Sequence, residues 1–93
     1  MQFEWDKEKA GINFQKHGVS FEEASTVWDD YFVVDLYDDD HSIEENRFLI
    51  AGESVQNRLL IVSYTEKHGK IRIISARELT PKERREYEHG RFE

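Results

Sequence analysis

The stretch RLLIVSYTEKHGKIRIISARELTPKERREYE, residues 58–88, decides the fold class. Two runs rich in branched and aromatic side chains, 58–66 and 70–78, flank Lys67-His68-Gly69. Apolar runs joined by a short glycine-containing turn are the signature of a β-hairpin. Thr80-Pro81-Lys82-Glu83 follows and opens a helix. The threonine hydroxyl can accept a first-turn amide, the proline needs no amide at the first helical position, and the glutamate can reach back to the threonine backbone. Strict alternation along the second strand puts Arg72, Ile74 and Ala76 on one face and Ile71, Ile73, Ser75 and Arg77 on the other. Apolar residues on both faces predict a central strand, with Arg77 at its end.

Working upstream, YFVVDLY (31–37) and RFLIAGE (47–53) read as strands that pair antiparallel across the acidic loop DDDHSIEEN. FEW at 3–5 is a short strand seed. Asp6 is placed as the N-cap of a helix running to about His17, with Ala10, Phe14 and Ile12 as its apolar stripe. Gly18 is the left-handed residue that ends it. Ser20 and Glu23 form a second capping box, after which Phe21, Ala24, Val27 and Trp28 face the core. The order is strand, two helices, a four-strand meander and a C-terminal helix. This segregates helices from sheet and predicts an α+β fold in a single domain spanning residues 1–93.

Composition limits the function classes. The chain is 38 % hydrophobic and 35 % charged, enough for one core under a wet surface, and it has no cysteine. A disulfide framework, a thiolate metal site and a cysteine nucleophile are thereby excluded. The N-terminus lacks the apolar core of a signal peptide, and no run approaches a membrane span, so a cytoplasmic protein without membrane contact is expected. The net charge of −7 argues at first against a polyanionic partner. Its distribution argues otherwise. Eight of the 20 acids and none of the 13 bases fall between Asp29 and Asn46, so the rest of the chain, with 12 acids against 13 bases, is nearly balanced.

Several residues have the chemistry of a site. Arg77 is placed either to meet an anion or to pair with Glu78 or Glu83. Glu45 and Arg47, two apart, project from one face if the strand reaches them, and either share a substrate or pair with each other. Lys16-His17 ends the first helix, where it can supply a general base or a phosphate contact, or simply complement the helix dipole. Asp38, Asp39, Asp40, His41, Glu44 and Glu45 offer hard oxygen ligands but lack the alternating pattern of a calcium loop. The four histidines show no metal-ligand spacing, and no nucleophile elbow is present.

Three blocks, FEWDKEKAGINFQKHGVSFEEA, HSIEENR and RIISARELTPKERREY, in this order and spanning nearly the whole chain, resemble the BrnT family of toxins. The resemblance implies a RelE-like fold, a small antiparallel sheet with two N-terminal helices and one C-terminal helix. It implies a ribonuclease that arrests translation, with an RNA substrate and a BrnA-like antitoxin as partner. DNA would be touched only through the antitoxin. Lys9, Lys16 and His17 match the first block, Glu45 and Arg47 the second, and Arg72, Arg77, Arg84 and Tyr87 the third. An enzyme of this kind without metal or cofactor needs a base for the 2′-hydroxyl, cations for the phosphate and an acid for the leaving oxygen. On this expectation Arg47 and Arg77 stabilise the phosphate, and Lys9, Arg72 and Arg84 support RNA binding. His17 or Glu45 is the base, and Lys16 or Tyr87 assists the leaving group or stacks on a base. Two alternatives stand beside it: an inactive binding module that acts as co-repressor with a DNA-binding partner, and a metal-dependent nuclease built on the aspartate run.

Overall fold

The structure is a computed structural model that describes residues 1–37 and 46–90, so Glu45 and the aspartate run lie outside the described residues. Strand β1 (Phe3–Glu4) leads into α1 (Lys7–His17) and α2 (Phe21–Ser25), which continues as a 3-10 turn over Thr26–Asp29. The meander follows as β2 (Val34–Tyr37), β3 (Phe48–Glu53), β4 (Leu59–Lys67) and β5 (Lys70–Glu78), and α3 (Pro81–Glu88) ends the order. The sheet runs β1-β5-β4-β3-β2. The meander pairs antiparallel as expected, but β1 lies parallel to β5, through Phe3 opposite Ile71 and Glu4 opposite Arg72. The sheet is therefore mixed. The first strand adds to the outer edge of the last one, which the meander alone would leave unpaired.

Local chemistry explains the boundaries. Asp6 accepts from the amides of Glu8 and Lys9 at 2.8 and 3.1 Å, and Gly18 at φ 70° closes α1 in the left-handed region. The hairpin between β4 and β5 turns on His68 and Gly69, both with positive φ, as a two-residue turn between right-twisted strands requires. The capping box at Ser20 is only half made. Ser20 Oγ accepts from Glu23 N at 3.0 Å, but the Glu23 carboxylate turns inward to Ser54 and Arg58.

A β-bulge corrects the simple alternation along β5. Ser63 pairs with Ser75 but Tyr64 pairs with Ile73, leaving Ile74 unopposed. The extra residue resets the parity, so Ile71, Ile73 and Ala76 all join the core under the helices, while Ser75 and Arg77 face the other side of the sheet. That core packs Val19, Phe21, Ala24 and Val27 onto Ile50, Leu60, Val62 and Tyr64, and Trp28 meets Phe3 and Tyr64 edge-on at 5.1 and 5.0 Å. The opposite face carries a smaller cluster of Ala51, Ile61 and Leu79, packed against Leu49, Leu59 and Tyr87 of α3.

Helix α1 attaches differently from its expected stripe. Ile12 and Phe14 are 57 % and 56 % exposed, whereas Asn13 is buried. Its side-chain amide donates to Val19 O and Ala76 O at 3.0 and 2.9 Å, and its oxygen accepts from Ala76 N at 3.1 Å. The Asn13 amide thus takes the place of a neighbouring strand at Ala76, beyond the two residues that β1 covers. Of the expected stripe only Ala10 packs against the core, and the buried Asn13 side chain adds the polar tie that seats α1 on the sheet.

Candidate active site

The hollow on the second face of the sheet has a volume of about 220 Å³ and is lined by His17, Leu49, Ile61, Ser63, Ser75, Ala76 and Arg77. Its two ends are positioned by different devices. His17 is the last residue of α1, and the Asn13 clamp one turn earlier holds that end of the helix against β5. Arg77 reaches the hollow from β5 and is gripped from the side by Glu83, with Nη1 to Oε1 at 2.7 Å and Nη2 to Oε2 at 3.0 Å. Nη1 also donates to Glu78 O at 3.1 Å.

Glu83 is itself the third helical residue of the capping box that opens α3. Its Oε1 accepts from Thr80 N at 2.9 Å, and its own amide donates to Thr80 Oγ1 at 3.1 Å. One carboxylate therefore starts the helix and aims the guanidinium. The Arg77 pairing, reinforced by the Thr80 amide, holds the Glu83 carboxyl down at about 2, against an ordinary 4.5. The same pairing raises Arg77 above its ordinary value, so the guanidinium keeps its charge.

The other expected site residues are distributed around this hollow. Lys16 is exposed beside His17, and Lys9 is exposed about two turns earlier on the same helix. Arg47 precedes β3, two residues before Leu49 of the hollow, is half-buried and has interaction partners. Arg72 lies five residues before Arg77, roughly 16 Å along the strand, and pairs with Glu4 at 3.2 Å. Arg84 and Tyr87 line a different hollow with Glu53, Asn57, Arg58, Leu59, Glu78 and Glu88. The Tyr87 hydroxyl faces Asp30 Oδ2 at 3.3 Å and Phe32 O at 3.1 Å, and burial together with the Asp30 charge pushes it up to about 12. It holds its proton and serves as a strut.

Sequence reasoning missed three contributors. Ser63 adds a hydroxyl to the hollow and stands opposite Ser75 across β4 and β5. Nothing in its own segment marks it. Asp30 looked like part of an acid-rich surface, yet its carboxylate accepts from Phe32 N at 3.0 Å, from Glu53 N at 2.7 Å and from Tyr87. A Cβ on Gly52 would stand 2.9 Å from that carboxylate, so only glycine lets β3 approach it. Glu23, 4 % exposed, accepts from Ser54 Oγ at 2.7 Å and is bridged to Arg58, whose Nη2 also donates to Gly18 O at 3.0 Å. The ion pair lowers the Glu23 carboxyl and ties the turn after α1 to β4.

A sequence model of the family described as "Ribonuclease toxin, BrnT, of type II toxin-antitoxin system" matches residues 5–83, from Trp5 at the core to the glutamate that grips Arg77. The chain belongs to the BrnT family. Its fold is that of the Brucella abortus ribonuclease toxin BrnT, solved as a crystal structure at 1.1 Å, with a TM-score of 0.64 over 86 % of this chain and 97 % of that one. Identity with that BrnT is 19 %, so the likeness is one of fold. Among curated proteins none matches. As a type II toxin family, BrnT implies an antitoxin partner. No helix among the described residues is long and apolar enough to cross a membrane. Among the same residues no three His, Asp or Glu side chains converge as metal ligands. The aspartate run of the metal-dependent alternative, with His41, Glu44 and Glu45, falls outside them.

Proposed function

We propose that this BrnT member is an endoribonuclease that cleaves RNA without a metal at the Arg77 hollow, arrests translation, and is neutralised by a BrnA-like antitoxin. The observation that carries the reading is the placement of a fixed, permanently charged guanidinium and an imidazole in one hollow, with two serine hydroxyls beside them. Arg77 is aimed by two hydrogen bonds before substrate arrives, which is what stabilisation of a developing phosphorane charge needs. His17 takes the proton of the 2′-hydroxyl as that oxygen attacks phosphorus, and the P–O5′ bond breaks. The 5′-oxygen leaves with a proton, supplied by Lys16 or by water, and the products are a 2′,3′-cyclic phosphate and a 5′-hydroxyl end. Glu45 is the other carrier for the base role, and Arg47 a second cation for the phosphate. Lys9, Arg72 and Arg84 hold the RNA backbone outside the hollow. The engaged hydroxyl of Tyr87 favours a supporting role for that residue over proton transfer.

The test is cleavage of a short RNA by the purified protein with and without EDTA, beside the same strand carrying 2′-deoxyribose throughout. Cleavage that persists in EDTA, leaves cyclic phosphate ends and spares the deoxy strand is expected. Loss in EDTA would replace the mechanism by a metal-dependent one. Absence of cleavage under all conditions would favour the co-repressor module.

A further inference from the structure

We propose that the exposed Tyr31-Phe32 turn, together with Val55, is the docking surface for a basic, amphipathic segment of the antitoxin. The inference rests on the toxin–antitoxin pairing and is independent of the cleavage mechanism. Six large hydrophobic side chains are prominently exposed among the described residues, and Tyr31 (91 %), Phe32 (72 %) and Val55 (71 %) are three of them. The Tyr31 and Phe32 rings stand perpendicular with centroids 5.2 Å apart, so they present one stepped apolar surface.

This surface is held in advance. Asp30 accepts from the Phe32 amide and the Glu53 amide, and the Tyr87 hydroxyl reaches Phe32 O. Val55 is tied by its amide to Thr26 Oγ1 at 2.9 Å. Exposed aromatic rings on a pre-ordered backbone lose little freedom when covered, which is the property of interface anchors.

Charge selects the occupant. Val55 and Asp30, the residue before Tyr31, both line a hollow of about 200 Å³ with Thr26, Asp29, Glu53 and Ser54, a lining with three acids and no base. Asp29 and Glu53 are exposed. A lysine or arginine entering this hollow meets the carboxylates of Asp29 and Glu53. Apolar residues of the same segment cover Tyr31, Phe32 and Val55. The hollow shares no lining residue with that of Arg77, so this contact adds affinity without itself occupying the site.

The test uses the full chain and a BrnA-like antitoxin, with association and dissociation rates measured at low and high salt. Tyr31→Ala/Phe32→Ala should speed dissociation by roughly tenfold or more. Asp29→Asn/Glu53→Gln should slow association several-fold at low salt and little at high salt. Ile12→Ala/Phe14→Ala, an exposed apolar pair on α1, is the control and should leave both rates near wild type. Unchanged antitoxin rates in both surface variants would overturn the proposal. So would loss of RNA affinity in the aromatic variant with antitoxin rates intact, or a wild-type homodimer that the aromatic variant abolishes. Circular dichroism reports folding, and if the aromatic variant fails to fold the charge variant decides alone. RNA cleavage by the free variants is read separately, so failure of the ribonuclease reading leaves the binding result intact, and the converse.

Discussion

Replacing Glu83 with glutamine removes one charge and keeps a side-chain oxygen that can still accept from Thr80 N. In the folded protein the Glu83 carboxyl sits near 2 instead of 4.5. At about 1.4 kcal/mol per pH unit, that difference corresponds to about 3 kcal/mol of preference for the ionised form. Arg77 is 40 % exposed in its side chain, so solvent screens the pair and about 1–2 kcal/mol is the realistic contribution to stability. Because the folded value is depressed, the contribution is fully present above about pH 4.5 and fades as pH falls toward 2. Glu83→Gln should therefore melt several degrees below wild type at neutral pH, at roughly 4–8 °C per kcal/mol for a chain of this size. The gap should close as pH falls toward 2. Thr80→Ala, which loses a cap worth roughly 0.5–2 kcal/mol but keeps the ion pair, should show a gap that does not vary with pH in this way. A Glu83→Gln gap as large near pH 2 as at neutral pH would refute the assignment of the stabilisation to the charged pair. In cleavage, Glu83→Gln should lower kcat and leave KM nearly unchanged, because the guanidinium is still present but no longer aimed. Its effect should vanish in an Arg77→Ala background.

Arg77→Ala should cost on the order of 10²-fold in RNA cleavage, and about 1 kcal/mol of stability through the lost pairing with Glu83; full cleavage with an intact circular-dichroism spectrum would remove it from the site. Asn13→Ala strands Ala76 N and O at the β5 edge and should destabilise by roughly 2–4 kcal/mol, visible as a lower denaturation midpoint and faster hydrogen exchange at the Ala76 amide. Tyr87→Phe keeps the ring on the cluster of Ala51, Ile61 and Leu79 but removes the hydroxyl from Asp30 and Phe32, so it should cost roughly 1 kcal/mol while cleavage by the free toxin stays near wild type. A large kcat loss in Tyr87→Phe without a stability change would return that hydroxyl to the chemistry.

Where a local rule had one solution, the sequence was legible. The Thr80-Pro81-Glu83 start of α3, the Asp6 cap, Gly18 after α1 and the His68-Gly69 hairpin all appear as residue chemistry dictates. Legibility failed where a side chain had a choice of partners across space. Glu23 fits a capping box by spacing, but a buried carboxylate gains more from Arg58 and Ser54 than from one backbone amide. Phe14 fits an apolar stripe, but the β5 edge needs a donor and an acceptor at Ala76, and the Asn13 carboxamide supplies both. The bulge at Ile74 has no local sign either, since Ile73 and Ile74 are both apolar and either could face the core, and it is the bulge that sets which face Ser75 and Arg77 share. The site followed the same pattern. Arg77, with its possible Glu83 partner, was read from spacing alone, whereas its neighbours His17, Ser63 and Leu49 come from three other elements and meet it only in the fold.

Helix α3 joins these parts. The apolar cluster beneath it is small, with Ala51, Ile61 and Leu79 as its buried members, so polar ties must contribute to its alignment on the sheet. At its start Glu83 links Thr80 to Arg77, and near its end Tyr87 reaches Asp30 and Phe32 O. The backbone that presents the exposed Phe32 ring is thus the backbone that anchors the far end of the helix whose first turn aims the arginine. A partner seated on that ring bears on the same rigid element as the candidate catalytic cation, although their hollows have no residue in common. Acidic and basic groups are kept apart at one end of a small sheet: Glu53 ends β3 opposite Leu59, Arg77 pairs with Ile61 two residues further along β4, and on the proposed reading a basic partner meets the acids of one hollow while phosphate meets the guanidinium of the other.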